Sequence, residues 1–399
     1  MQHLKIIFSI SLLMVLIIFF SRCIPGSPSN NDPRGDQYAG SKACGDCHQS
    51  ISGSYAHANH YKTSSEIDKN ALKKLIGPSK GRFYFTDSSF IGIEEKANTF
   101  FQSYFTGDKK NASERFDIAF GSAEKAQTYG YWKEDKLYQL PLTFFTSLNA
   151  WANSPGFPAR HARFERVIGS RCFECHASYI NKEFVKTGSL TVSEKLDRGS
   201  IVYGIDCERC HGPAADHVKF QQDNPSVKTS KYIISIKSLS RRQQLDLCAM
   251  CHSGNDQTPQ RSLFSFVPGD TLSHFYFPAF GLTGGEPDVH GKQLQLLESS
   301  ECFRKTDMTC TSCHNSHAPE QNNMTAFISK CMNCHQNSIH ATGMLKENEQ
   351  IKRDFNLVSR NCIDCHMPLQ TSKTIYFNNG AQQKNIPYLI RTHKIAVYQ

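Results

Sequence analysis

Seven times along the chain, two cysteines separated by two residues are followed at once by histidine. The copies are Cys44-Cys47-His48, Cys172-Cys175-His176, Cys207-Cys210-His211, Cys248-Cys251-His252, Cys310-Cys313-His314, Cys331-Cys334-His335 and Cys362-Cys365-His366. Two thiols one helical turn apart can reach both vinyl edges of one porphyrin and form thioethers. The imidazole that follows is then carried beneath the iron as its proximal ligand. A lone C-x-x-C could instead be a redox dithiol or half of a zinc site. Neither needs histidine at the same place seven times. The pattern predicts seven covalently bound haem c groups and uses fourteen of the sixteen cysteines. Of the two left over, Cys23 falls in the N-terminal segment and Cys302 reads as a small buried hydrophobe. No disulfides are expected.

The sixth ligand of each iron decides its chemistry. Of seventeen histidines, seven close the motifs and His3 lies in the leader, which leaves nine. A single spare histidine is ordinarily a polar surface residue; nine spares for seven irons allow imidazole closure throughout. The candidate distal ligands are His60, His161, His217, His290, His317, His340 and His393, with His57 and His274 in reserve. His217 and His317 follow their own motifs too closely to wrap around the same haem, so each is expected to reach a neighbour. Met250, Met332 and Met367 lie inside or directly after motifs and cannot swing to the opposite face. Bis-histidine ligation lacks the potential-raising methionine and implies mostly low-potential haems.

The segment Met1–Cys23 reads as a targeting signal: His3 and Lys5, then an apolar run from Ile6 to Phe20, too short to span a bilayer comfortably. Cys23 placed just after it suggests a lipoprotein signal with Cys23 lipidated, although Phe20 and Arg22 depart from the usual small-residue pattern. A conventionally cleaved signal or an uncleaved anchor are the rivals, and all three export the chain to the periplasm or outer membrane. Residues 24–40, rich in Pro, Gly, Ser, Asn and Asp, form a flexible tether. The formal charge of +9 does not call for nucleic acid. Haem propionates are natural counter-charges for Arg171, Arg209, Arg241, Arg242 and Lys330 near the motifs, and Lys73-Lys74 reads as a solvated helix face.

Only 39% of residues are hydrophobic, modest for this length, and porphyrins would supply much of the missing apolar interior. The fold expected is mainly α with long loops: a multihaem domain over 41–399, wrapped around closely packed haems. Its haem-dense part covers about 160–399, and a small antiparallel β insert fills the motif-free gap at about 80–150. Within that gap Phe116-Asp-Ile-Ala-Phe, Gln127-Thr-Tyr-Gly-Tyr-Trp and Leu137-Tyr-Gln-Leu-Pro-Leu-Thr-Phe read as strands, with a polar turn at Lys133-Glu-Asp-Lys136. Ser240 with Gln243 forms a capping-box signal for a helix entering Cys248. In the tail, Thr374-Ile-Tyr-Phe and Tyr388 onward read as extended segments around Asn378-Asn-Gly380, with His393 folding back to an iron.

Several segments resemble multihaem cytochromes of the cytochrome c-552/c-554 family. They are Asp206-Cys-Glu-Arg-Cys-His-Gly-Pro with the following His217, Thr309-Cys-Thr-Ser-Cys-His-Asn-Ser-His317, and Asn361-Cys-Ile-Asp-Cys-His-Met-Pro368. Asp288-Val-His290-Gly, Arg391-Thr-His393 and the opening Tyr38-Ala-Gly-Ser-Lys-Ala-Cys44 with His60 are also similar. The resemblance implies closely packed haems whose distal histidines cross between segments. It leaves two activities open: an electron carrier linking a membrane donor to a reductase or external acceptor, and a reductase of a nitrogen or sulfur compound with one open iron. A structural or haem-storage subunit is a third reading. Ammonia-forming nitrite reductases typically carry a C-x-x-C-K motif, which this chain lacks, and the histidine surplus favours closed irons and a carrier without a catalytic residue. The implied partners are redox proteins, a membrane quinol oxidoreductase or terminal reductase among them, and the membrane through the lipid on Cys23.

Overall fold

The computed structural model describes residues 31–77, 81–254, 256–278, 286–320, 323–336, 361–378 and 385–398. Cys23, residues 24–30 of the tether and His340 lie outside these residues. In chain order the elements are α1 (Ser41–Cys47), α2 (Gln49–Tyr55), β1 (Ser64–Glu66), α3 (Lys69–Ile76), β2 (Arg82–Tyr84), β3 (Ser89–Lys96), β4 (Thr99–Thr106), β5 (Lys109–Arg115), β6 (Ile118–Phe120), β7 (Ala126–Lys133), β8 (Lys136–Gln139), β9 (Leu142–Phe145), β10 (Ala150–Asn153), β11 (Val167–Ile168), α4 (Ser170–His176), β12 (Ala177–Lys186), β13 (Val192–Tyr203), α5 (Cys207–His211), α6 (Ala215–Asp223), α7 (Arg241–His252), α8 (Gln293–Glu298), α9 (Glu301–Lys305), α10 (Met324–Met332), α11 (Cys362–His366), β14 (Leu369–Asn378) and β15 (Asn385–Arg391).

The chain is not mainly α. Strand is nearly as abundant as helix, and every strand pairing is antiparallel. Strands β2–β5 form a four-stranded meander, and β1, β6, β7, β8 and β11 run in order through a second sheet that β9 and β10 join from β7. Two separate hairpins, β12–β13 and β14–β15, lie outside the motif-free gap. The physical reason is economy. One helical turn is enough to present a thioether pair and its histidine, so the helices stay short, and the long stretches between motifs satisfy their backbone groups by pairing with each other. The β12–β13 hairpin carries charge on both faces of its outer half (Lys182, Glu183, Lys186, Lys195, Asp197), which erases the alternation by which a strand is read.

Inside the gap, the hairpin turn at Lys133–Lys136 joins β7 to β8, with Glu134 at positive φ. The apolar run from Leu137 divides at Leu140-Pro141 into β8 and β9, because proline has no N–H for the ladder. The core of this region gathers Phe83, Phe85, Ile91, Phe100, Phe116, Tyr129, Leu140, Leu142, Phe144, Phe145 and Trp151. Phe377 of β14 joins it, with its ring 4.4 Å from that of Phe145, so the tail docks on the insert. A second cluster (Ile118, Phe120, Leu137, Ile168, Phe173, Ile180, Leu196) fuses the insert to α4 and β12. A third surrounds α7 with Leu245, Met250, Leu263, Phe266, Phe275 and Phe303. Among the described residues no helix is long and apolar enough to cross a membrane.

Candidate haem sites

Three motifs, the third, fifth and seventh, are started by the residue before their first cysteine. Asp206 caps α5 by accepting from Arg209 N at 2.9 Å, and Asn361 caps α11 by accepting from Asp364 N at 3.3 Å. Thr309 opens the tight turn Cys310–Ser312 through reciprocal bonds with Ser312. Ser240 and Gln243 form the full capping box of α7, which ends in Cys248–His252. Capping fixes the first turn and places cysteines three residues apart on one helical face.

The two residues between the cysteines point away from that face and hold the motifs to one another. Glu174, between Cys172 and Cys175, is buried. It accepts from Arg171 at 2.7 Å, from Ser262 Oγ at 2.7 Å and from Leu263 N at 3.1 Å. Arg209, between Cys207 and Cys210, is buried too and donates to the Leu263 and Glu174 carbonyls at 2.8 and 3.1 Å. Its neighbour Glu208 accepts from the N–H groups of Ala39, Gly40 and Ala214 at 2.8–2.9 Å. Arg34 bridges Asp206 at 2.6 Å and Glu208 at 3.2 Å, tying the third motif to the approach of the first. None of these links is visible in the motif pattern. The arginines near the motifs have protein partners. Arg171 and Arg209 are taken up by Glu174 and by carbonyls, Arg241 by the Met308 and Phe303 carbonyls, and Arg242 by Asp246 at 2.8 Å.

Histidines from distant segments meet in pairs. The His211 and His317 rings have centres 6.0 Å apart with planes 16° from parallel. His314 and His393 are 6.3 Å apart at 27°, and His60 and His252 are 6.0 Å apart at 83°. A metal held between two imidazoles has a nitrogen about 2 Å away on each side, which sets ring centres roughly 6 Å apart once the ring radius is added. His290 lies close enough to His176 to disfavour its protonation, after the larger effect of burial. Burial, and then His60, push His252 down to about 4; burial, and then His314, do the same for His393. Imidazoles held neutral are the form that binds iron. His60, His176, His252 and His290 nevertheless remain exposed to solvent.

Thiols of different motifs also approach one another. Cys44 stands near Cys207, Cys175 near Cys251, and Cys248 near Cys310. The second and fourth motifs cross reciprocally: Cys175 Sγ meets the Met250 carbonyl at 3.9 Å, and Cys251 Sγ meets that of Glu174 at 3.8 Å. Cys210 stands near Cys248 and Cys251, and Cys331 near both Cys313 and Cys362. The motifs therefore follow one spatial line in the order first, third, fourth, fifth, sixth, seventh, and the second branches at the fourth. A cavity of ≈510 Å³ beside Cys207 is lined by Ser41, Gly45, Gln49, Tyr55 and Tyr61.

These features fit haem c. Paired thiols precede each histidine, imidazoles face each other at the iron-bridging distance, and the buried Nδ1 of His393 has no hydrogen-bond partner among the described residues. A family model described as cytochrome c554 and c-prime matches residues 157–212, across the second and third motifs. A cytochrome c3 model matches residues 302–379, which hold the fifth to seventh. The chain is a multihaem c-type cytochrome. Its fold is similar to the crystal structure of outer cell wall cytochrome OcwA, with a TM-score of 0.53 at 16% identity, over 90% of this chain and 79% of that one. No curated protein matches the cytochrome's sequence. As a cytochrome of this class it binds haem covalently and carries electrons to and from redox partners.

Among the spare histidines of the cytochrome, His60, His317 and His393 each face a motif histidine, and His290 lies near His176. His217 does not join these pairs. Its Nδ1 meets the Lys231 carbonyl at 2.8 Å, the posture His211 adopts toward Ile234 and His366 toward Ala396. His161, His57 and His274 are exposed, and His340 lies outside the described residues. Cys302 is half-buried and close enough to Cys313 to raise that thiol, behind the effect of burial.

Proposed function

We propose that the cytochrome holds seven haems c, one at each motif, and passes electrons along them between a membrane donor and a reductase or external acceptor. The proximal ligands are His48, His176, His211, His252, His314, His335 and His366. The distal partners are His290 for His176, His317 for His211, His60 for His252 and His393 for His314. His217, by its posture, serves one of the remaining three irons. The imidazole pairs drawn from separate motifs carry this reading. Bound haem supplies a one-electron iron couple, and an iron held by two imidazoles has no position for a substrate. The chain's own part is to keep these imidazoles neutral and oriented, and to hold successive thioether edges in contact along the line of motifs.

The ends of that line face outward: Cys47, Cys172, Cys334 and Cys365 are exposed. Partners would dock at the first or second motif and at the sixth or seventh. Residues 41–399 act as one haem domain, because the insert and the tail share a core. Likeness to a cytochrome of the outer cell wall, together with the leader, supports an exported protein, with Cys23 as its lipid anchor. Two measurements test the reading. Intact mass of the exported protein should exceed the polypeptide by seven haems, and the ferric spectrum should be low-spin. A smaller mass increment rejects the haem count, and a high-spin component in the unmodified protein indicates an open iron and favours the reductase.

A further inference from the structure

Three motif histidines direct Nδ1 at an acceptor, and one acceptor differs in kind. His211 and His366 meet backbone carbonyls, Ile234 at 3.1 Å and Ala396 at 2.9 Å. His314 meets the carboxylate of Glu320, six residues on, with Oε2 at 2.7 Å. The other oxygen of Glu320 accepts the N–H of Asn315, so the carboxylate is held against the motif from two sides. On the opposite face of the pair, the buried Nδ1 of His393 has no hydrogen-bond partner among the described residues. The charge-assisted bond thus falls on the proximal side alone.

We propose that Glu320 sets the potential of the fifth haem, holding it below the value a carbonyl-bonded histidine would give. This rests on the reading of His314 and His393 as its ligands. An N–H donated to an anion leaves more electron density on the ring, so the ligating nitrogen becomes more basic and the ferric state is favoured. The carboxylate charge acts in the same direction. The step concerned is the one-electron couple of the iron, with no bond made or broken. Because the fifth motif sits between the fourth and sixth, Glu320 would place a low-potential stop in the middle of the line and divide it into two segments.

The test uses the fully loaded protein and two substitutions. His393→Ala should give the fifth haem a high-spin signature, so that its midpoint can be followed apart from the others by spectroelectrochemistry. Adding Glu320→Gln, which retains an oxygen for the Asn315 N–H, should move that midpoint to a more positive value and leave the rest in place. An unmoved midpoint overturns the proposal. So does loss of the haem by mass, which would make Glu320 a residue of assembly rather than of tuning. If His393→Ala alone adds no high-spin component, the ligand reading has failed separately. Glu320→Gln in the otherwise native protein then decides the proposal, which stands if one midpoint shifts positive and falls if none does.

Discussion

At the scale of single residues, the chemistry depends on which imidazole faces which. His393 and His161 were equal candidates in sequence, and the fold separates them. His393 stands 6.3 Å from His314, whereas His161 meets no motif histidine among the described residues. Replacing His393 with Ala should add one high-spin haem to the ferric spectrum, and replacing His161 with Ala should leave it low-spin. The planes of the pairs differ as well. His60 and His252 are nearly perpendicular at 83°, and His211 and His317 nearly parallel at 16°. Since ring orientation is fixed by the surrounding protein, electron paramagnetic resonance should resolve both a rhombic low-spin signal and a strongly anisotropic one. The anisotropic signal should vanish in His60→Ala, and its persistence there would break the His60–His252 assignment.

Elements matter where they carry a ligand into place. His60 lies in no helix or strand. It is fixed because the backbone of 60–64 runs against the end of β13: Ile205 N donates to the His60 carbonyl at 2.9 Å, and Gly204 N to Ser64 Oγ at 3.0 Å. Gly204 has a φ of 64°, and a Cβ there would come within 2.0 Å of the Tyr61 carbonyl oxygen. No side-chain adjustment relieves a clash with backbone. Gly204→Ala should therefore push the 60–64 segment away, cost about 2–4 kcal/mol through strain at a positive φ and lost hydrogen bonds, and open the iron of the fourth motif. A lower melting temperature together with a new high-spin band is the expected result. A melting point within a degree of the parent would refute it.

For the whole molecule, the insert and the tail work as supports for the haem line rather than as appendages. Phe377 and Tyr388 of the β14–β15 hairpin pack on Phe145, and the chain that leaves β15 delivers His393 to His314. At the other end, the proposed export and lipid anchoring rest on the leader and Cys23. Metabolic labelling with a fatty acid should mark the wild type and miss Cys23→Ala, and equal labelling of the two would reject lipidation.

The sequence by itself determined the kind of cofactor, covalently bound haem c, because covalent attachment needs residues adjacent in the chain, and its seven motifs underlie the proposed count of seven. It also determined local features with short-range causes: the capping box of α7, the turn at Lys133–Lys136, and the extended segments of the tail. It misjudged the balance of helix and strand, since β12–β13 is polar on both faces and has no alternation to read. Pairing one histidine with another was decided only in three dimensions. Histidines such as His60 and His252, or His314 and His393, are far apart in the chain, and the first three motifs are likewise tied to one another by buried residues such as Glu174, Glu208, Arg209 and Arg34. Those residues look like ordinary surface charges in sequence. What they hold together is set by burial and geometry, which no spacing along the chain encodes.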